Sequence, residues 1–300
     1  MIQPNRIVLF SKDKDFCELL EKQIAARLPF QLNPDSLDAS ALVLIDEKGA
    51  PPLSDILKTS PRDFVNWIGR QDDSKHVEFI LQHKLNHLIG FDAQRTPYEI
   101  SQLLNKFESN KLWGLTPYLE KGTSTDGFSL SESKREMVKI DDILKGQDWS
   151  DFFDSPIDYL TLVANELVSN ALYNGPEEKR SNKDYPVDRK DPVFLKGSEL
   201  VQVNLGIDSH TVGLSVMDCF GTLSWEKTVE NLNRSFTEKT VQHKKGGAGL
   251  GLYLAFSHAN QFIINRKAGL RTEVLCIIEK NRRYKNYKER IKSFHFFEEA

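Results

Sequence analysis

Short apolar runs and amphipathic helical stretches alternate along the first hundred residues of the chain. Four apolar runs have the length of buried strands: residues 6–10, 41–45, 64–68 and 85–91. Three other stretches repeat their apolar positions at helical spacing: residues 16–28, 74–83 and 97–108. Because strands that alternate with helices form a parallel sheet covered on both faces, this pattern predicts an α/β domain.

The second half of the chain is organised around one helical stretch, residues 155–175. A Ser-Pro pair favours its start, and Gly175 is predicted to end it. On one line of this helix Glu166, Asn170 and Asn174 follow each other at intervals of four residues. A carboxylate followed by two amides is typical either of a solvated face or of a site for metal and phosphate, and the helix alone leaves both open.

Further elements are predicted around this helix. Five apolar runs are strand candidates: residues 128–130, 200–207, 211–217, 261–266 and 273–279. Three more helices are predicted: one beginning at residue 131, one over residues 225–236, and one from the glycine-rich run 246–252 to His258. Residues 110–127 have the composition of a packed linker, and the polar residues 176–198 have that of an exposed insertion.

Length, charge, apolar run length and cysteine spacing argue against several classes of function. A length of 300 residues suggests about two domains, and 40 basic against 43 acidic residues argue against nucleic acid as the main partner. No apolar run reaches membrane-spanning length, and the polar start MIQPNR does not have the pattern of a signal peptide. The three cysteines are widely separated and form no zinc or redox spacing. We therefore expect a cytoplasmic protein with no membrane partner.

The first predicted domain, residues 1–109, is similar to the receiver domain of two-component response regulators. The resemblance lies in the order of the elements and in Asp46 at the carboxyl end of the run ALVLID. Receivers hold Mg²⁺ with an acidic pair after the first strand, where this chain has Ser11 and Lys12, and Asp92 stands where a lysine is expected. Magnesium would find too few oxygen ligands, and Lys12 is predicted to pair with Asp46 instead. The resemblance implies a degenerate receiver with a flavodoxin-like parallel sheet, used for docking or dimerisation.

Three motifs in the second half occur in a fixed order. ELVSNA lies at residues 166–171, Asp-Cys-Phe-Gly at 218–221 and GGAGLGL at 246–252. Together they resemble the N box and the two glycine boxes of the Bergerat α/β sandwich, the ATP-binding fold of gyrase-type topoisomerases, Hsp-type chaperones, histidine kinases and anti-sigma-factor serine kinases. The resemblance covers residues 128–280 and leaves 281–300 as a basic-aromatic tail. The first glycine box departs from the usual pattern, since it holds a single glycine.

The resemblance implies sites for ATP and Mg²⁺. Asn170 would offer its amide oxygen to the metal, Asp218 would accept a hydrogen bond from the adenine amino group, and Gly221 would leave room for the base. Glu166 would act as the general base or would orient a nucleophile near the γ-phosphate. The remaining residues of the predicted nucleotide site are Asn174, Lys244, Lys245, Gly247, Gly249, Leu250 and Gly251. Its glycines would present backbone N–H groups to phosphate at a helix N-terminus.

The resemblance specifies which nucleotide is bound more closely than it specifies the reaction. A self-phosphorylating histidine kinase needs a histidine ahead of the ATP domain, and residues 88–209 contain none, while His83 and His87 are interpreted as solvated. The second half is most similar to anti-sigma-factor serine kinases. This implies a serine/threonine kinase or an anti-sigma-like regulator whose partner is a sigma factor, its antagonist or another signalling protein. The alternative is a non-catalytic, nucleotide-gated scaffold regulated through the degenerate receiver. A homodimer, and a role of the tail in binding a partner, stay open.

Overall fold

The computed structural model describes these residues: 3–49, 51–109, 111–132, 142–147, 149–150, 156–176, 192–237, 250–280 and 289–299. The chain divides into two compact units. The N-terminal unit comprises residues 1–112 and 291–297, and the C-terminal unit comprises residues 113–290 and 298–300. Both combine helices with strands, so the predicted mixed α/β class is confirmed. Within the described ranges, no helix has both the length and the apolar character that crossing a bilayer requires.

The N-terminal unit contains a mostly parallel sheet. Its strands and α-helices are β1 (Arg6–Phe10), α1 (Lys14–Ile24), β2 (Phe30–Leu32), β3 (Ala41–Asp46), α2 (Leu53–Thr59), β4 (Val65–Gly69), α3 (Asp73–His83), β5 (His87–Gly90), α4 (Thr96–Ser109) and residues 293–297 of β11 (Ser293–Glu299), whose last two residues belong to the C-terminal unit. The strand order is β2-β1-β3-β4-β5-β11, and every pair except the last is parallel. Strands β3 and β4 are buried on both faces, which explains their continuous apolar sequences.

The first helix is shorter than predicted. α1 begins after Asp13, whose carboxylate accepts a first-turn N–H at 3.1 Å, and it ends at Ile24 instead of residue 28. Pro29 disfavours helix in the residue before it, and its carbonyl accepts a hydrogen bond of 2.8 Å from β1. Residues 30–32 consequently pair with β1 as an edge strand that the apolar pattern did not reveal.

The C-terminal residues differ from the predicted basic-aromatic tail, because residues 293–299 form β11. The strand pairs antiparallel with β5 and places His295 opposite His87. The hydroxyl of Ser293 accepts the N–H of Gly90 at 2.9 Å, and the three phenylalanines of β11 are buried. Side chains on both faces of this strand are removed from water, so apolar burial decides its structure.

Buried polar side chains connect β11 to α4 and β5. His87 and His295 are both buried, and their Nδ1 atoms lie 3.4 Å apart. The Nε2 of His295 lies 3.2 Å from a carboxylate oxygen of Glu99, and the ammonium group of Lys106 lies 4.2 Å from the centre of the Phe297 ring. One imidazole must donate and the other accept across the Nδ1 contact, so there is no room for a proton on both facing nitrogens. The prediction that His87 is solvated is wrong.

This buried histidine pair predicts that the N-terminal unit is sensitive to acid. Burial lowers the pKa of His87 well below its usual value, and the nearby His295 and Lys106 lower it further. The unfolded chain takes up this proton near pH 6.5, whereas the native unit does not. The free energy of unfolding should therefore fall by about 1.4 kcal/mol per pH unit below about pH 6.5. Native-state hydrogen exchange of the β4 and β5 amides between about pH 7.5 and 5.5 measures this slope.

Two variants separate the contribution of His87 from the rest. His87→Gln removes one titrating group and should flatten the slope, while His210→Gln changes a histidine that is 56% exposed in the C-terminal unit and should not. Burial also lowers the pKa of His76, which therefore adds a slope of its own in both variants. Identical slopes in the wild type and His87→Gln would contradict a buried neutral His87.

The C-terminal unit contains an antiparallel sheet with helices packed on it. Apart from two 3-10 helices, Thr116–Tyr118 and Gly197–Glu199, its main described elements are β6 (Thr125–Leu130), α5 (Pro156–Ser169), a π-turn (Asn170–Asn174), β7 (Val201–Ile207), β8 (Thr211–Asp218), α6 (Trp225–Thr237), α7 (Leu250–His258), β9 (Gln261–Lys267) and β10 (Arg271–Glu279). The strand order is β9-β10-β8-β7-β6, with every pair antiparallel. Helix α5 packs on α7 and on β8. These strands, with α6 and α7, occur where the apolar pattern predicts them.

The predicted linker packs on the sheet of the C-terminal unit through two glycines. Gly206 on β7 and Gly213 on β8 are paired in register. Leu119 and Leu115 occupy the space that side chains at these two positions would need. The carboxylate of Glu273, itself buried on β10, accepts a backbone N–H of the same segment at 3.0 Å. The segment after α4 is therefore part of the core of this unit.

Candidate functional site

One cavity of the C-terminal unit gathers several of the residues predicted to bind nucleotide. It lies between α5, α6 and the sheet. Its polar lining comes from Asn170, Asn174, Asp218, Thr222, Lys227, Asn231 and Thr272. Its apolar walls come from Leu167, Ala171, Val216, Leu223, Leu252 and Val274. Apolar walls combined with converging polar groups are typical of a small-molecule site.

The end of the long helix places Asn170 and Asn174 in the cavity. After α5 the backbone forms a π-turn, in which the N–H of Gly175 bonds the carbonyl of Asn170. The Nδ2 of Asn174 donates to the Oδ1 of Asn170 at 3.0 Å, while the buried Nδ2 of Asn170 has no partner among the described residues. π-Turns inside helices are frequent at functional sites, and a buried donor without a protein partner is typical of a place where a ligand or water binds.

Gly175 does not end the helix as predicted. It has helical dihedral angles, φ −59° and ψ −55°. A Cβ at this position would lie 2.7 Å from the ring of Phe220, so the glycine is needed for packing. Phe220 belongs to the turn that follows Asp218, and its contact with Gly175 therefore ties that turn to the end of the helix.

Asp218 ends β8 and shapes this turn. Its Oδ1 accepts the N–H groups of Phe220 at 2.7 Å and of Gly221 at 3.3 Å. Gly221 has φ +65°, and the carbonyl of Lys267 occupies the space that a Cβ there would need. Gly221 does not line the cavity. Gly221 thus accommodates the turn between β9 and β10, and its contact with a base stays a prediction.

Four polar residues of the cavity are not among those predicted from the sequence: Thr222, Lys227, Asn231 and Thr272. Thr272 on β10 pairs with Asp218 in the strand register, is 2% exposed, and has a hydroxyl with no partner in the described part of the chain. Strand pairing brings Thr272 to this place, and no spacing in the sequence signals it. Lys227 and Asn231 lie one turn apart on α6 and both reach the cavity. Their four-residue spacing was a signal that could have found them.

Glu166 lies beside the cavity and is not among its lining residues. Its Oε2 occupies the space that a side chain at Gly251 would need, and the same position is 3.5 Å from the Nδ2 of Asn170. Gly251 is in the first turn of α7, so its lack of a side chain lets the carboxylate approach the N-terminus of that helix. Backbone N–H groups there favour a negative charge. Leu250, predicted to contact nucleotide, is 40% exposed and does not line the cavity.

Several predicted features fall outside the described residues. These are Lys244, Lys245, Gly247, Gly249, residues 133–141 of the helix predicted from residue 131, and residues 177–191 of the predicted insertion. In the ranges that the structure describes, no three His, Cys, Asp or Glu side chains are grouped so that they could hold a metal ion.

In the N-terminal unit, the predicted pairing of Asp46 with Lys12 is wrong. The buried carboxylate of Asp46 accepts two hydrogen bonds from Arg70, of 2.6 and 2.8 Å, and a third of 2.5 Å from the hydroxyl of Ser11. Arg70 also pairs with Asp13 at 2.9 Å. Burial alone would lower the pKa of Arg70, but Asp46 and Asp13 raise it above its usual value. A side chain of the protein itself thus supplies the positive charge that these carboxylates require.

Comparisons with known proteins do not assign the chain to a family. No protein-family model matches it, and no curated protein matches it at a significant level. The functional assignment consequently depends on the geometry of the cavity and on the order of the motifs.

Proposed function

We propose that the C-terminal unit is a Bergerat-type domain that binds ATP with Mg²⁺, and that the protein is a bacterial signalling protein acting as a serine/threonine kinase or an anti-sigma-like regulator. The observation that carries the proposal is the meeting of two motifs at one cavity. Asn170 and Asn174 reach it from the end of α5, and Asp218 reaches it from the end of β8. The third motif supplies Gly251 on α7, which packs against Glu166 on α5.

The lining of the cavity supports adenine as the base of the proposed ligand. Its apolar walls would cover the faces of the ring, and the carboxylate of Asp218 would accept a hydrogen bond from the exocyclic amino group. The hydroxyl of Thr272, beside it on β10 and without a partner among the described residues, would donate to a ring nitrogen. Guanine carries a carbonyl where adenine carries its amino group, so the carboxylate would repel it.

Asn170 would hold the magnesium ion. Its Oδ1 accepts one hydrogen bond, from Asn174, which leaves a second lone pair for a metal. Magnesium usually keeps several water molecules and takes further ligands from phosphate oxygens, so a single amide ligand from the protein fits it. The bound ion would neutralise part of the phosphate charge.

Glu166 would take the proton of an incoming hydroxyl group. Its carboxylate lies beside the cavity, against the first turn of α7 and close to Asn170. A carboxylate placed within hydrogen-bond reach of a serine or threonine hydroxyl contributes about 10²–10⁴-fold as a general base. The hydroxyl would belong to a cytoplasmic protein partner, such as a sigma factor, its antagonist or another signalling protein. The N-terminal unit, as a degenerate receiver, would dock that partner or a second copy of the chain.

A non-catalytic, nucleotide-gated scaffold is the second candidate, and one observation favours it. Glu166 does not line the cavity, whereas a general base has to reach the site of the phosphates. A protein that only binds nucleotide does not need a carboxylate there. In this case ATP would change the affinity for a partner without any transfer of phosphate.

Nucleotide binding itself is tested by thermal denaturation with ATP and Mg²⁺. A ligand at a hundred times its Kd stabilises the native state by about 2.7 kcal/mol, so Tm should rise with ATP concentration. Asp218→Asn is expected to abolish the rise, because its amide group no longer offers two acceptor oxygens to the base. Asp126→Asn changes an exposed carboxylate on β6 of the same unit and should keep the full rise. A full rise in Asp218→Asn would remove the assignment of the adenine site.

A further inference from the structure

Arg266 connects the turn after Asp218 to the last residues of the chain. It lies on β9, with its side chain 17% exposed. Its Nε donates to the carbonyl of Gly221 at 3.1 Å, and its Nη1 pairs with the Oε1 of Glu298 at 2.8 Å. A planar guanidinium has donors on more than one edge, so it can hold a backbone carbonyl and a carboxylate together.

The turn over residues 218–221 is thus held by residues that do not line the cavity. The carbonyl of Gly221 accepts a second hydrogen bond, of 3.1 Å, from the N–H of Gly269, while the Gly221 N–H donates to Asp218 at 3.3 Å. Gly221 has φ +65° and no room for a side chain, so its position is closely constrained. The carboxylate of Asp218 consequently takes its position in part from donors on β9 and on the turn between β9 and β10.

We propose that Arg266 is a positioning residue for the nucleotide cavity. Glu298, in turn, determines how firmly Arg266 holds the carbonyl of Gly221. The inference rests on the proposed binding of ATP. Glu298 orients the guanidinium, Arg266 fixes the carbonyl of Gly221, and the turn then presents Asp218 to the base. A partner that engages the C-terminal acidic residues, or a truncation that removes them, would weaken this hold. ATP affinity would fall more than GTP affinity, because Asp218 is the residue that distinguishes the two bases.

The next residue on β9 provides a matched comparison. The ammonium group of Lys267 lies 3.5 Å from a carboxylate oxygen of Glu299, and these side chains are 37% and 43% exposed. An exposed ion pair at this distance contributes little to stability. A variant at Lys267 therefore controls for the loss of a positive charge on the same strand.

Calorimetric titration with ATP and GTP tests the proposal. Arg266→Ala is expected to raise the Kd for ATP about tenfold, the scale of one lost hydrogen bond from a charged donor, and to bring the ratio of the two affinities towards one. Glu298→Gln should shift the ratio in the same direction by about threefold or less, since its carboxylate is partly exposed. Lys267→Ala should match the wild type. A general loss of structure would weaken both nucleotides alike and leave the ratio unchanged.

Hydrogen exchange at the Gly221 amide provides a second measurement that needs no nucleotide. The exchange should be faster in Arg266→Ala than in the wild type, and unchanged in Lys267→Ala. Wild-type exchange together with a wild-type affinity ratio in Arg266→Ala would overturn the role of Arg266. If the wild type binds no ATP, the proposed function and the nucleotide part of this inference both fail. The exchange rates then decide separately whether Arg266 holds the turn.

Discussion

Glu166→Ala is expected to lower the transfer of phosphate to a protein partner by about a hundredfold or more, while ATP affinity stays near the wild-type value. The reason is that the loss of a general base costs this much in rate. The side chain is outside the cavity lining, so the contacts with the base remain. The measurement is transfer from labelled ATP to the proteins of a cell extract, together with ATP hydrolysis by the isolated protein.

Two other variants serve as comparisons for Glu166→Ala. Asn170→Ala should lose both metal-dependent binding and transfer, because Asn170 is the proposed ligand of the ion. Asp158→Ala removes an exposed carboxylate from the first turn of the same helix and should behave as the wild type does. If Glu166→Ala and the wild type label partners and hydrolyse ATP alike, Glu166 has no catalytic role. The scaffold function would then be preferred.

Arg70→Met is expected to destabilise the N-terminal unit by about 3–5 kcal/mol, the usual cost of leaving a buried charge without its partner. Asp46 is 0% exposed, and Arg70 supplies two of its hydrogen bonds. Arg70 also lies 3.5 Å from the centre of the Phe91 ring, so its charge is enclosed between acidic and aromatic groups. Hydrogen exchange of the β3 and β4 amides measures the loss without interference from the other unit.

A double variant separates the loss of charge pairing from the loss of packing. Asp46→Asn combined with Arg70→Met removes both charges, and most of the lost stability should return, since a neutral pair of similar volume often replaces a buried ion pair without cost. Lys58→Met is the control, because Lys58 is 74% exposed in its pair with Asp55 and should change stability by less than about 0.5 kcal/mol. A loss in Arg70→Met no larger than in Lys58→Met would show that Arg70 does not support Asp46.

The fold could be predicted wherever local pattern and burial agree. The run ALVLID forms a strand with all six residues buried, and the alternation of strands with helices corresponds to parallel pairing. The elements that the sequence did not reveal depend on distant partners. β2 has only three residues and pairs with β1, and β11 is stabilised by β5, far away in the chain. In both cases tertiary pairing outweighs the local composition.

Only those residues of the candidate site could be predicted whose positions are marked by local spacing along the chain. Asn170, Asn174 and Asp218 were found because helix periodicity and the end of a strand mark them. Thr272 could not be found, because it reaches the cavity through its register opposite Asp218. Arg70 was missed for a similar reason: the carboxyl ends of β3 and β4 bring it to Asp46, and no motif contains both residues.

Synthesis from the N-terminus leaves the sheet of the N-terminal unit one strand short until residues 293–299 have left the ribosome. The N–H of Gly90 on β5 is paired only after Ser293, 203 residues later, has been synthesised. Until then one side of β5 is an open strand edge, the kind of surface that pairs with other chains and that chaperones protect. A nascent or nicked chain that ends before β11 should consequently be prone to aggregate through a unit whose other five strands have already been made.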